Sequence, residues 1–486
     1  MQRSARKTES HNVIEWNMVE KMQTTTGITL GDDARIAVIG GGPAGSFFSY
    51  FVLDMAARLG IKIHVDIFEP RDFDIAGPAG CNMCAGVLHE SLVQTLAVEG
   101  ISLPTTVVQR AMDSNMLHMG EGNVRIETPR HEKRIAATFR GIGPRDLREV
   151  KRGSLDGYLL SLAVSKGAHH IRARVQEAER TAELDPWDRL LQIKASDGTS
   201  RTYDLVAVTT GVNTAMLNLL QKVEPAYQPP RTTQCIVREY NLGQEAVTKY
   251  IGTSMHAFLL NIPRLDLAAL IPKGDYVTLA LIGHGIDKGL LQTLVNHPAV
   301  TSCLPPNFPL DQVSCWCAPR INVGGSRRPY GDRIVFIGDS GVSRLYKDGI
   351  GAAYRAAKVA ATTVIFKGIA TEDFERHYGR FCRAMEVDNW FAKVIFTIVH
   401  QIQKVPFARR AVLHMVSAEQ QGKASAERGM SMVMWDMFTG SESYRDTFMR
   451  TLHPIFWTRF LWSLVVSILP PSKAGALFQL HQETLS

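Results

Sequence analysis

The hexapeptide Gly40-Gly41-Gly42-Pro43-Ala44-Gly45 satisfies the pattern G-x-G-x-x-G. Each glycine of that pattern has its own task. Gly40 permits a tight turn, Gly42 lets backbone approach a pyrophosphate, and Gly45 lets a helix pack on the preceding strand. The helix entered through Pro43 and Ala44 would aim its N-terminal amides at the phosphates. Glu69 ends the next apolar run, where a carboxylate can accept from a ribose hydroxyl. The glycines alone are a weak signal. A strand before them, a helix after them and an acid beyond favour dinucleotide binding over a merely tight turn.

Two cysteine pairs invite redox or metal chemistry. Cys81-x-x-Cys84 sits in a glycine-containing loop after the second strand, and Cys315-x-Cys317 lies on an alternating segment. A metal would want both pairs. Cysteines two apart on a strand more often share a face, so no metal is expected. A dithiol working with a redox cofactor stays open beside the favoured reading, a pocket-lining Cys84. His169-His170 reads as a solvent-facing helix end.

These residues need elements to hold them. ARIAVIG, from Ala34, is a compact apolar run ending in glycines, as a buried parallel strand does. Helix and second strand follow within one βαβ unit. LLQIKASDGTSRTYDLVAVTTG reads as a hairpin on an Asp-Gly turn and then an apolar strand. Residues 231–285 alternate as strands do. DRIVFIGDSG is another buried strand, GIGAAYRAAKVAATTVIF a small-residue helix, and everything after Gly368 reads as helical.

Composition bounds the rest. The chain has 486 residues, 45% hydrophobic and 21% charged, an ordinary globular mixture. A net charge of +7 is mild for this length, and no basic run interleaves with aromatics, so no nucleic acid is expected. Seven cysteines argue against a secreted disulfide framework. No apolar signal core and no run of ~20 apolar residues is visible, so a cytoplasmic protein without a spanning helix is expected. Residues 390–404 and 455–469 combine Trp, Phe and basic residues with wide apolar faces. Such segments suit a peripheral helix on the inner face of a membrane. Packing on the rest of the chain, or a subunit interface in an oligomer, explains them slightly better.

Asp332–Gly341, followed by Asp348-Gly349-Ile350-Gly351-Ala352-Ala353, resembles the second FAD fingerprint of glutathione-reductase-type flavoproteins. The branch is that of para-hydroxybenzoate hydroxylase and geranylgeranyl reductase. The resemblance implies that Asp339 binds the ribityl chain, and that Gly349 and Ile350 bring a helix N-terminus to the isoalloxazine. Arg152-Gly153-Ser154-Leu155-Asp156 resembles the family's helix opening, which implies Arg152 near the flavin; a solvated helix-terminal arginine is an equal alternative. Gly80-Cys81-Asn82-Met83-Cys84-Ala85-Gly86 is similar to the cysteine loop of geranylgeranyl reductases, with Cys84 at the family cysteine and Gly86 retained. A substrate pocket at Cys81, Gly86 and Tyr346, with Cys84 as catalytic candidate, follows from the resemblance, and Phe258 joins it where Phe258-Leu-Leu-Asn-Ile-Pro263 partly matches the aromatic-Pro substrate motif of archaeal reductases.

The fold so implied is α/β: a Rossmann-like FAD-binding domain with an inserted antiparallel-sheet substrate domain and a helical C-terminal extension. By residues, 1–33 form a flexible arm. Residues 34–100, 145–225 and 320–368 form the FAD-binding domain. Residues 101–144 and 226–319 form the substrate domain, and 369–486 the helical region. The implied activity is reduction of carbon–carbon double bonds in an isoprenoid or other lipid-like substrate. An external donor such as NAD(P)H or ferredoxin would supply electrons. The family's Pro is missing from SRLYKDGI, and its Asp from Thr209-Thr210-Gly211. The alternatives are a flavin-dependent monooxygenase or halogenase-like enzyme and, in another class, a flavin electron-transfer protein.

Overall fold

The computed structural model describes residues 27–128, 135–147, 152–182, 189–422 and 429–468. Most of the expected N-terminal arm therefore lies outside the described residues.

Ala34–Ile39 pairs in parallel with Ile63–Phe68 on one side and Leu205–Val208 on the other. Strands covered on both faces must be apolar almost throughout, which is why Ala34–Ile39 and Leu205–Val208 lack alternation, whereas Ile63–Phe68 keeps an exposed His64 and a half-buried Asp66. Six strands make this sheet, in the order Tyr330–Gly331, Ile334–Phe336, Leu205–Val208, Ala34–Ile39, Ile63–Phe68, His169–Ile171. Only the outermost pair, at Tyr330–Gly331, is antiparallel. His169 and His170 are thus edge-strand residues, not a helix end. Helix Leu155–Ser165 stops earlier, and Gly167 (φ +109°) turns the chain into the strand. The expected Asp-Gly hairpin joins Leu191–Ala195 to Ser200–Tyr203, with Gly198 at φ +87°.

Helices Pro43–Leu59 and Gly349–Phe366 lie together in one core on this sheet. Ala353, Ala356, Ala357 and Ala360 are buried, and such small side chains allow close approach of the two helices. Tyr354 then meets Phe47 and Phe51 edge-on at 5.6 Å.

The second sheet has eight strands and is mostly antiparallel. Its long member, Arg231–Asn241, pairs with Tyr276–Gly283 along one edge. Along the other it takes two short strands in succession, Cys315–Cys317 and Arg320–Gly324. Arg320–Gly324 therefore belongs to this sheet, although it falls in the 320–368 stretch assigned to the other unit. An eleven-residue strand is long enough to hold both partners. A helical turn over 244–251 interrupts the expected run of strands.

Side chains alternate across this sheet. Met255, Ala257 and Leu259 face a core shared with Ala392, Val412 and Trp435 of the later helices. Phe258 faces the opposite core, under Leu290 and Leu294. After Gly368 the described chain is helical, as expected, in six helices from Thr371–Arg376 to Pro454–Ile468. Among the described residues no helix is long and apolar enough to cross a membrane.

Candidate functional site

The glycine turn is held by packing at its two ends. A Cβ on Gly45 would lie 1.9 Å from the Gly40 carbonyl oxygen, and one on Gly40 (φ +110°) 2.8 Å from that of Thr209. Thr209 precedes the Thr210-Gly211 pair from which the family's Asp is missing, and its hydroxyl lies within donating distance of the carbonyls of Ile39 (2.9 Å) and Gly40 (2.7 Å). Gly42 differs. A Cβ there would approach only Asn82 Nδ2, at 3.2 Å, so packing does not demand this glycine. Helix Pro43–Leu59 begins with no side-chain cap, which leaves its first amides for a ligand. Glu69 is buried at the strand end, and its two oxygens accept from the Gly41 and Arg71 amides at 2.9 Å. The acid expected at a ribose also locks the turn.

Asp339 lies where two helix starts meet. Its neighbour Gly338 (φ +70°) fits between them: a Cβ there would stand 2.9 Å from that of Ala44 and 3.8 Å from that of Ala353. Burial pushes the Asp339 carboxyl up, against a Ser343 hydrogen bond and the Arg140 charge. Gly349 and Ile350 open the second helix, which also lacks a side-chain cap. Asp348 precedes it at φ 55°, and its carboxylate lies over the first turn, where a Cβ on Gly351 would stand 2.1 Å from Oδ1. It accepts from His89 (3.0 Å), Arg344 (3.1 Å) and Arg355 (2.7 Å). Burial opposes its charge, yet these partners hold it well below the usual carboxylate range.

Arg152 is not part of this assembly. It donates to Asp275 at 3.0 Å and its guanidinium stands 5.9 Å from the centre of the Tyr276 ring. The buried arginine at the site is Arg140, whose Nη2 donates to Asp156 at 2.9 Å. Burial disfavours the Arg140 cation, but Asp156 outweighs it and raises the pKa. Asp156 also accepts from Asn82, which in turn accepts from Arg71. One polar network thus ties the glycine turn to the cysteine loop. Sequence reasoning missed Arg140 and Asn82. Their signal was Arg140 before glycine in RGIGP: a Cβ on Gly141 would lie 2.4 Å from the Gly80 oxygen, so the two glycine turns stack.

The cysteine loop is stapled to Thr138. Gly86 sits at φ +70°, and a Cβ there would stand 2.0 Å from the Thr138 oxygen. Cys84 Sγ accepts from the Gly86 amide at 3.4 Å, and Cys81 Sγ from that of Met83 at 3.3 Å. Burial pushes the Cys81 thiol up. Cys81, Cys84, Cys315 and Cys317 line one cavity of about 40 Å3, with Glu239 on its wall. The two cysteine pairs do meet here, yet among the described residues the four sulfurs do not form a set close enough to share one ion. Glu239 accepts from Lys273 at 3.3 Å and Thr278 at 2.7 Å. No motif pointed to this buried Lys–Glu pair. Tyr346 donates to Asp266 at 3.2 Å and packs edge-on against Phe396. Phe258 stands apart from the expected pocket, on the far face of the sheet.

No family model matches the chain, and no curated protein matches it. Solved structures do match its fold. One is a geranylgeranyl bacteriochlorophyll reductase-like protein from Thermoplasma acidophilum, with TM-score 0.60 and 12% identity over 87% of this chain and 99% of that one. Another is a flavoprotein/dehydrogenase from Cytophaga hutchinsonii, with TM-score 0.57 and 13% identity over 89% and 99%. A variant of the halogenase PltM in complex with FAD gives TM-score 0.55 and 13% identity over 93% and 96%. The α/β fold with parallel-strand sheets is therefore one seen in flavoproteins.

Proposed function

We propose that this chain binds FAD without a covalent link and reduces carbon–carbon double bonds of a lipid-like, isoprenoid substrate. One observation carries the reading: two helices without side-chain caps at their N-termini meet at Gly338, next to Asp339, and the Arg140 charge reaches both Asp339 and the cysteine loop. Gly42 and the amides after it would take the pyrophosphate, Glu69 the ribose and Asp339 the ribityl chain. The Gly349–Ile350 amides favour negative charge at the ring. Bound FAD would supply hydride transfer. Cys84 and Glu239 wall the side toward the eight-stranded sheet. Lys273 and Thr278 hold the Glu239 carboxylate in place there.

Cys84→Ser should leave FAD bound and change turnover or product pattern. Wild-type kinetics and products would remove Cys84 from the site. Cys81→Ser tests the dithiol: equal loss in both variants, and protection of the wild type by reductant, support a couple.

A flavin monooxygenase or halogenase-like enzyme is the second reading, favoured by the likeness to the PltM–FAD complex. Turnover under argon supports the reductase. Substrate-coupled oxygen uptake supports the alternative. The donor, NAD(P)H or ferredoxin, is identified by which one reduces the flavoprotein.

A lipid-like substrate fits a peripheral membrane protein. On helix Pro454–Ile468, Phe456, Ser463 and Val466 are buried. Leu461, Val465 and Ile468 are 52–64% exposed and share a helix face. Lys393, Lys404, Arg410 and Arg459 would add salt-sensitive attraction to anionic lipid. Replacing Leu461, Val465 and Ile468 together by Ser should abolish co-sedimentation with anionic vesicles while the fold stays intact. Unchanged sedimentation would assign the face to packing or oligomerisation.

A further inference from the structure

His118, His256 and Cys303 are far apart in the chain and meet in the core. His118 lies on strand Ser114–Met119 and His256 on the adjacent Ser254–Phe258. Cys303 follows the short helix Pro298–Thr301. All three are buried. His118 Nε2 stands 3.0 Å from His256 Nδ1. Cys303 Sγ stands 3.3 Å from His256 Nδ1 and 3.7 Å from His118 Nε2. Among the described residues this is the one set of three His, Cys, Asp or Glu side chains whose ligand atoms lie within 4.8 Å of one another.

From these contacts we infer that His118, His256 and Cys303 form a buried binding site for a thiophilic d10 cation, Zn2+ or Cu+. Metal–nitrogen bonds of ~2.05 Å and metal–sulfur bonds of ~2.3 Å at tetrahedral angles put donor pairs roughly 3.3–3.6 Å apart. The three observed separations bracket that range. Two imidazoles and one thiolate are a donor set that suits Zn2+ and Cu+ and excludes hard cations such as Mg2+ and Ca2+. The site has an orienting partner as well. His256 Nε2 lies 3.2 Å from the Ile251 carbonyl oxygen. That carbonyl needs a donor, so the proton sits on Nε2 and the Nδ1 lone pair faces the cluster. Coordination deprotonates Cys303, and its proton leaves to solvent.

Metal binding would exchange the hydrogen bonds these groups now make, among them that of Cys303 Sγ to the Ala299 carbonyl oxygen at 3.3 Å, and the surroundings keep water out. Phe258 stacks on the His118 ring at 4.6 Å, and Leu290, Leu294 and Val300 belong to the same aliphatic core. The site is on the sheet face opposite the later helices, so its role is to pin residues 298–303 to the two strands. It is independent of the proposed FAD chemistry.

The test uses full-length protein as purified. Elemental analysis should find about one equivalent of zinc or copper per chain, and the element found separates the two cations. Stripping it with a chelator and adding Co2+ should bring up the near-ultraviolet thiolate-to-cobalt band. Cys303→Ser should lose that band while its far-ultraviolet circular dichroism stays wild-type. If Cys303→Ser does not fold, X-ray absorption of the wild-type metal decides, with one sulfur and two imidazole nitrogens expected. Less than a tenth of an equivalent of metal, with no cobalt band, overturns the site and leaves a hydrogen-bonded core triad.

Discussion

A Gly42→Val protein should emerge folded and colourless. Gly42 has φ −67° and ψ −173°, a backbone conformation open to a β-branched residue. The added Cβ would meet only Asn82 Nδ2, the far end of a side chain that can shift. Circular dichroism and the melting profile should therefore stay close to wild type. The side chain would stand where the pyrophosphate must approach, so the flavin band should vanish after gel filtration. Gly45→Ala should behave differently. Its Cβ would lie 1.9 Å from the Gly40 carbonyl oxygen, with strand and helix both fixed by the core, so misfolding is expected. A yellow, stoichiometrically loaded Gly42→Val protein would place the cofactor elsewhere.

Asp156→Ala should cost on the order of 3–5 kcal/mol, because it leaves the Arg140 guanidinium buried without its counter-charge. Asp156 is fully buried, and it accepts from both Arg140 and Asn82. The loss should show as a lower urea midpoint. Combining Arg140→Met with Asp156→Leu removes both charges and should regain much of it. Equal destabilisation by the single and double changes would mean that shape, not charge, holds this junction.

The parts legible in the sequence were those set by local backbone needs. The runs at Ala34–Ile39 and Ile334–Phe336 read as strands because burial on both faces forbids polar residues. Gly40, Gly42, Gly45, Glu69 and Asp339 stood at places fixed by the turns beside them. The missed parts depend on distant stretches of chain. Arg140 reaches the site because Gly141 stacks on Gly80, a contact across sixty residues that no periodicity reports. Arg152 matched a short motif, but Asp275 and Tyr276 stand closer and take it. Phe258 was placed by an aromatic-Pro motif, whereas one step of strand alternation puts it on the other face from Leu259. Arg320–Gly324 was misassigned because its partner strand extends beyond Cys315–Cys317.

The most direct measurement is anaerobic. Holoprotein reduced to the two-electron level is mixed with a polyprenyl alkene under argon, and the flavin absorbance and product mass are followed together. The proposed function predicts return of the oxidised flavin spectrum at the rate a product two hydrogens heavier appears. A flavin that stays reduced until oxygen is admitted, with the alkene recovered unchanged, would contradict it.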